Sequence, residues 1–183
     1  MSDYTIQQAD IELLRLQGMA EEDLAHSIQV AEKALEIARR MTADLDMELI
    51  GRGALFHDLG KTETHGLQHG RLGAEKGKKL GLPPAVNAIM EKHIRGGLTR
   101  EEALELELPV KDYTLHLLEE RVIIYADRLV DIIHDGIVPI ADEEDAETRF
   151  KEILDQYIKY GKNEITTQRY RQYHDEIQGL MAP

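Results

Sequence analysis

The chain has no cysteine, no apolar run long enough to cross a bilayer and no excess of positive charge. Without cysteine there is no disulfide framework, no thiolate nucleophile and no cysteine-type zinc site. Any metal must therefore be held by imidazole and carboxylate, donors that suit iron, manganese, magnesium, nickel or zinc. No stretch approaches the roughly 18 apolar residues of a spanning helix, and the opening MSDYTIQQAD carries neither an apolar nor an arginine-rich leader. The expectation is a cytoplasmic protein with no membrane partner. A formal charge of −13 argues against a nucleic-acid polymer as the main partner. Internal repeats, low-complexity linkers and useful strand-period segments are also missing. The 183 residues are long enough to bury one sizeable core, and they read as a single all-α domain, 1–183, of seven to nine helices.

The charge is unevenly spread. Residues 61–100 hold eight Lys or Arg against three acids, so this segment is +5 and the remainder −18. Such a cluster is either a set of solvated helix faces or a basic rim beside a site for a small anion.

Helical punctuation runs along the chain. Leu24, Ile28, Ala31, Leu35 and Ala38 form one apolar row, with Val30, Ala34, Ile37 and Met41 as a second. Two rows predict a helix packed on two sides. Asp46 is placed to cap the next helix, in which Gly51 and Gly53 point to close helix–helix approach. Gly81 reads as a C′ residue, Pro83-Pro84 as the opening of a further helix, and Thr99 to Glu102 as a capping box. TLHLLEERVIIYADRLVDIIH has a β-branched centre, yet Leu118, Val122, Ala126, Leu129 and Ile133 recur at helical spacing. Two more helices are expected near 142–160 and 166–180.

LFHDLGKTETHGLQHG, residues 55–70, concentrates three of the eight histidines. His57 and Asp58 are neighbours, and neighbours on a helix point about 100° apart. For one ion to lie between them they need a helix end or turn, which Gly60 supplies. His26 is in phase with Val30 and Ala34, and so faces inward. Asp127 shares a face with Ile123 and Val130, where a carboxylate is costly unless a cation or metal pairs with it. His93 follows Ile89 and Val86 on another apolar face. Three inward polar residues on three helices, joined to a His-Asp pair on a fourth, point to a metal centre.

The order His26, His57-Asp58, Asp127, with HDLGK at its centre, resembles the HD superfamily of metal-dependent phosphohydrolases over residues 20–135. The signature's isoleucine is Leu59 here, and His93 is followed by Ile94 rather than by a second polar residue. The resemblance implies a compact helical HD domain in which His26, His57, Asp58 and Asp127 bind one divalent ion. His69 and His93 are similar to the added ligands of the six-ligand, binuclear branch, in which the residue equivalent to Asp58 bridges two ions. HDIG-type proteins and, more distantly, symmetrical dinucleoside tetraphosphate hydrolases are the branches it brings closest. Two ions per chain are therefore expected, iron or manganese favoured. Asp58 and Lys61 carry the catalytic roles, and Lys61 and Arg95 bind substrate phosphate. The implied reaction is hydrolysis of a small phosphorylated substrate, a nucleotide or dinucleoside polyphosphate, by attack of a metal-activated water. A mixed-valent di-iron oxygenase of the same fold is the alternative. Neither the C-terminal helices, 140–181, nor the oligomeric state is informed by the resemblance, and a homo-oligomer is compatible with it. Arg128 is expected at a rim or in a salt bridge, His65 in a solvated loop or against substrate, and Tyr125 in the core.

Overall fold

A computed structural model describes residues 3–183. The described residues form eleven α-helices and two short 3-10 turns, with no strand. In chain order the helices are α1 (Gln8–Leu16), α2 (Glu21–Arg40), α3 (Met47–Phe56), α4 (His69–Lys79), α5 (Pro84–Lys92), α6 (Arg100–Glu105), α7 (Leu118–His134), α8 (Glu143–Thr148), α9 (Phe150–Gln156), α10 (Ile158–Gly161) and α11 (Glu164–Gly179). The first 3-10 turn, Leu59–Thr62, follows α3, and the second, Ile94–Gly96, follows α5.

Helices α2, α3 and α7 pack against one another at the centre; α5 covers α3, α4 lies on α5 and the first 3-10 turn, and α11 lies on α7. On α2, Leu24, Val30, Ala31, Ala34, Leu35, Ile37 and Ala38 are all buried, the wide stripe that the two apolar rows predict. Burying Leu24, Val30, Leu35 and Ile37 contributes roughly 1.5–3 kcal/mol each. Val122 to Ala126 of α7 are buried without interruption, so this stretch of the helix is covered on all sides. Their β-branched side chains lower intrinsic helicity, but packing on several sides overrides that preference. The helix starts at Leu118 rather than at Thr114, because the Glu120 carboxylate accepts from the amides of His116 and Leu117 and holds those residues extended.

The caps form where expected. Asp46 accepts from the amide of Leu49, the Thr99–Glu102 box closes in both directions, and Gly81 has φ +74°. A Cβ on Gly53 would lie 2.5 Å from Ile89 Cδ1 and 2.9 Å from Ile123 Cδ1, so the glycine lets those two side chains of α5 and α7 pack against α3 without shifting.

The helix count exceeds the expected seven to nine because the C-terminal third breaks more often than its apolar pattern indicates. The span 142–160 divides into α8, α9 and α10, with Tyr157 extended at φ −119°, ψ 103°. Lys162 turns the chain at φ 64°, and Asn163 caps α11 by accepting from the amide of Thr166. Both ends of the described chain meet at the end of α2. Arg39 donates to the carbonyl of Tyr4, and the amide of Ala182 donates to the carbonyl of Arg40. Among the described residues no helix is long and apolar enough to cross a membrane.

Candidate metal centre

Helix α3 ends at Phe56, with His57 as its C-cap and Asp58 at φ −99°, ψ 13° leading into the first 3-10 turn. This break in the helix lets neighbouring side chains converge. Gly60 has a different purpose from the turn expected of it. A Cβ there would fall 1.7 Å from the carbonyl oxygen of His69 and 2.8 Å from the amide nitrogen of Gly73. Contact with α4 requires the glycine.

Three histidines are fixed in the same way. The ring Nδ1 of His57 donates to the carbonyl of Ala54 (2.6 Å), that of His93 to Met90 (2.7 Å) and that of His69 to Gly66 (2.8 Å), each three residues back. Every ring is thereby oriented with Nε2 turned to the same small volume. A backbone partner of this kind is the usual outer support of a metal-binding imidazole.

The carboxylate of Asp58 lies at the middle of that volume and is 3% exposed. Its Oδ2 is 3.3 Å from His57 Nε2 and 3.8 Å from His26 Nε2, while Asp127 Oδ1 is 3.0 Å from His26 Nε2 and 3.5 Å from His57 Nε2. Its Oδ1 is 3.2 Å from His69 Nε2 and 3.3 Å from His93 Nε2, which are themselves 2.8 Å apart. Donor atoms at about 2.1 Å from one ion lie about 3.0 Å apart in octahedral geometry and about 3.4 Å apart in tetrahedral geometry. Both groups fall near that spacing. The completely buried His57 Nε2 has no hydrogen-bond partner, which is the position a Lewis acid can take. The residues present fit one divalent ion on each side of Asp58.

The charges agree with this picture. Burial alone would raise the Asp58 pKa, but the charge of His57 and the close approach of the His69 and His93 rings hold it well below the usual carboxylate range. Asp127 is likewise lowered against its burial by His57 and His26. Burial disfavours the His57 cation, yet Asp58 and Asp127 outweigh it and raise the pKa. Burial and the charge of His69 lower that of His93. The ammonium of Lys61 is 2.7 Å from Asp58 Oδ2.

All six histidine and aspartate candidates thus come together, with Lys61 in contact and Arg95 on the wall of the same cavity, about 380 Å³ in volume. His26 and Asp127 differ from expectation in their surroundings. Their side chains are 22% and 19% exposed, because the apolar faces they interrupt border this open cavity rather than closed core. His65 is exposed at the cavity mouth, 2.9 Å from Asp23 Oδ2, and Tyr125 is fully buried. Arg128 is neither at an outer rim nor in a salt bridge. It is buried, with its guanidinium 4.8 Å from the centre of the Tyr170 ring.

Sequence reasoning missed Asp131 and Lys162. Asp131 Oδ1 is 3.8 Å from His26 Nδ1, and burial together with the Asp127 charge pushes its pKa up to about 6. Its signal was available: it follows Asp127 by four residues, one turn along the same helix face. Lys162 lies in a turn with no periodic signal. A larger groove, about 600 Å³, opens between α2, α8 and α11, but its cations are already paired, Arg40 with Glu147 and Lys33 with Glu36 and Glu143.

A family model described as the HD domain matches residues 23–147. The chain belongs to the HD domain family. An uncharacterized protein of Methanocaldococcus jannaschii is 37% identical over 165 residues, 88% of this chain and 91% of that protein. The tRNA (cytidine(56)-2'-O)-methyltransferase of Picrophilus torridus is 32% identical over 155 residues, 84% of this chain but only 42% of the methyltransferase. Among solved structures, the HD domain of the L. monocytogenes phosphodiesterase PgpH in complex with cyclic-di-AMP aligns with TM-score 0.62 and 17% identity over 94% of this chain and 95% of its own. That likeness is one of fold. HD family membership supports a metal-dependent phosphohydrolase, and the His/Asp clusters of the chain are of a kind that can hold divalent metal. Helices α9 to α11 lie beyond the matched residues.

Proposed function

We propose that the protein hydrolyses a phosphate ester or anhydride of a small molecule, a nucleotide or dinucleoside polyphosphate, at a two-ion centre of the six-ligand, HDIG-type kind. The observation that carries this reading is the position of Asp58, with one oxygen turned to His26 and His57, which Asp127 also approaches, and the other to His69 and His93. Those six residues would hold the ions, and their nitrogen and oxygen donors favour iron or manganese, with magnesium, nickel and zinc compatible. When bound, such ions supply water acidic enough to react near neutral pH and positive charge beside the phosphoryl oxygens. The cyclic-di-AMP held by the PgpH HD domain is a small phosphorylated ligand, which agrees with this substrate class.

The remaining work falls to the chain. Lys61, beside Asp58 Oδ2, meets a phosphoryl oxygen that approaches the centre, and Arg95, on the lining of the same cavity, holds substrate. A nucleic-acid polymer would have to lie along a surface that is −18 outside residues 61–100, whereas a small anion meets mainly the local +5.

A panel of mononucleotides, dinucleoside polyphosphates, cyclic dinucleotides and simple phosphate esters, assayed with metal content determined in parallel, tests the reading. Turnover of at least one compound with close to two ions per chain is the expected result. No turnover with any divalent ion, together with oxygen consumption in the presence of iron, would transfer the protein to the oxygenase reading. Lys61→Ala is expected to keep its metals and to slow the reaction by about 10²-fold, the scale of losing one charge contact to the transition state. Full activity of that variant would remove Lys61 from the mechanism. Chelation should lower the thermal midpoint, since ligands bound only by the folded state stabilise it, and returning manganese should restore it. A midpoint indifferent to chelator and metal would count against a resident ion.

A further inference from the structure

The cavity that holds the His/Asp cluster is also lined by three cations: Arg95 on the second 3-10 turn, Arg128 on α7 and Lys162 between α10 and α11. The nearby carboxylates are engaged elsewhere, Asp58 with Lys61, Asp127 with His26, and Asp131 toward His26 Nδ1. None of the three cations forms an ion pair within 4.0 Å among the described residues. Arg128 is only 9% exposed, its one side-chain hydrogen bond runs from a terminal nitrogen to Tyr170 Oη at 3.3 Å, and its Nε has no partner. A buried guanidinium left in that condition lacks an acceptor.

The backbone is bent to keep these groups together. Among the described residues, Arg95 (φ 49°) and Lys162 (φ 64°) are two of the three non-glycine residues in the left-handed region, a conformation that L-residues adopt at a cost. Helix α11 imposes the arrangement. Its Arg169 donates to the carbonyl of Arg95 at 3.0 Å and its Tyr173 to that of Gly96 at 2.7 Å. Tyr170 lies under the Arg128 guanidinium and packs on Gly96 so closely that a Cβ there would be 3.1 Å from the ring. Burial and the charges of Arg128 and Arg95 lower the Lys162 pKa, as positive charge in excess should.

We propose that Arg95, Arg128 and Lys162 form an anion subsite that receives a second phosphate of the same substrate molecule, in the same cavity as the metal centre. The inference rests on the phosphohydrolase reading and narrows it: the preferred substrate carries at least two phosphates, in a phosphoanhydride chain or a dinucleotide. Arg95 and Arg128 lie within the residues matched by the HD family model, while Lys162 and the α11 residues that hold the second 3-10 turn lie beyond them.

The test compares wild type with Lys162→Ala, Lys162→Glu and Lys162→Arg, a position whose side chain is exposed and so tolerant of exchange. Each is assayed on p-nitrophenyl phosphate, a nucleoside triphosphate, a dinucleoside polyphosphate and a cyclic dinucleotide, with inorganic tripolyphosphate as competitor. Lys162→Ala should lose about tenfold more kcat/KM on the preferred multiply phosphorylated substrate than on p-nitrophenyl phosphate, chiefly through KM, as expected for one charged contact. Lys162→Glu should lose more, Lys162→Arg should recover most of it, and tripolyphosphate should inhibit the alanine and glutamate variants correspondingly less. The substrate with the largest differential loss tells a phosphoanhydride chain from a dinucleotide. Equal losses on all substrates, or none, would overturn the subsite and leave the phosphohydrolase standing. If wild type hydrolyses nothing, calorimetry with tripolyphosphate decides: binding weakened by Lys162→Glu supports the subsite, and no binding, or equal binding to both proteins, rejects it.

Discussion

Replacement of Asp58 by alanine is expected to abolish turnover and to reduce the bound metal below one ion per chain after gel filtration. Asp58 is the one side chain within hydrogen-bonding range of both histidine groups, through different oxygens. Removing it takes a ligand from each ion position and leaves His57, His69, His93 and Lys61 around a void with no negative charge at its centre. Mutual repulsion among those groups then opposes a divalent cation. A rate loss of roughly 10³-fold or more follows if the ions supply most of the charge stabilisation at the reacting phosphate. Asp58→Asn keeps the shape and separates charge from volume; it should fail nearly as badly. Far-ultraviolet dichroism identical to wild type would show that the loss is local. An alanine variant that retained two ions and measurable turnover would end the bridging assignment.

Gly60→Ala is expected to be the most damaging single-methyl addition near the site. The added carbon would meet backbone on α4, His69 carbonyl and Gly73 amide, which cannot rotate away as a side chain can. Overpacking of that kind costs about 3 kcal/mol, or roughly 6–12 °C in the thermal midpoint of a domain this size. To relieve it, α4 must move away from the first 3-10 turn. That movement carries His69 from Asp58 Oδ1 while His26, His57 and Asp127, on other helices, stay in place. The variant should therefore lose metal from the His69/His93 side first, and a titration of metal content should show one tight and one weakened ion. A midpoint within 2 °C of wild type, as for an ordinary surface exchange of about 0.5 kcal/mol, would mean that the close approach is softer than the contact distances imply.

Much of this architecture is legible from residue spacing. The α2 stripe, the caps at Asp46 and Thr99, and the Gly81 stop each depend on residues within a few positions, so local physics decides them. His26, His93 and Asp127 stand out because imidazole and carboxylate on apolar faces conflict with burial unless something pairs with them; His57-Asp58 stands out as a pair, and His69 through the family resemblance alone. Periodicity cannot distinguish a face turned to core from one bordering a cavity, which is why His26 and Asp127 are more exposed than expected. The cationic wall was beyond reach for another reason. Arg95 and Arg169 meet across 74 positions, and Arg128 and Tyr170 across 42, through a segment whose helices are short and weakly patterned.

The clasp at the end of α2 has a topological consequence. Tyr4 and Ala182 are both pinned to Arg39 and Arg40, which lie about 20 Å along the helix axis from His26 at 1.5 Å per residue. A polypeptide joined at either end would leave from the same place, away from the cavity mouth. The clasp thus sets the anchoring of both ends apart from the chemistry, at the far end of α2 from the cavity entrance.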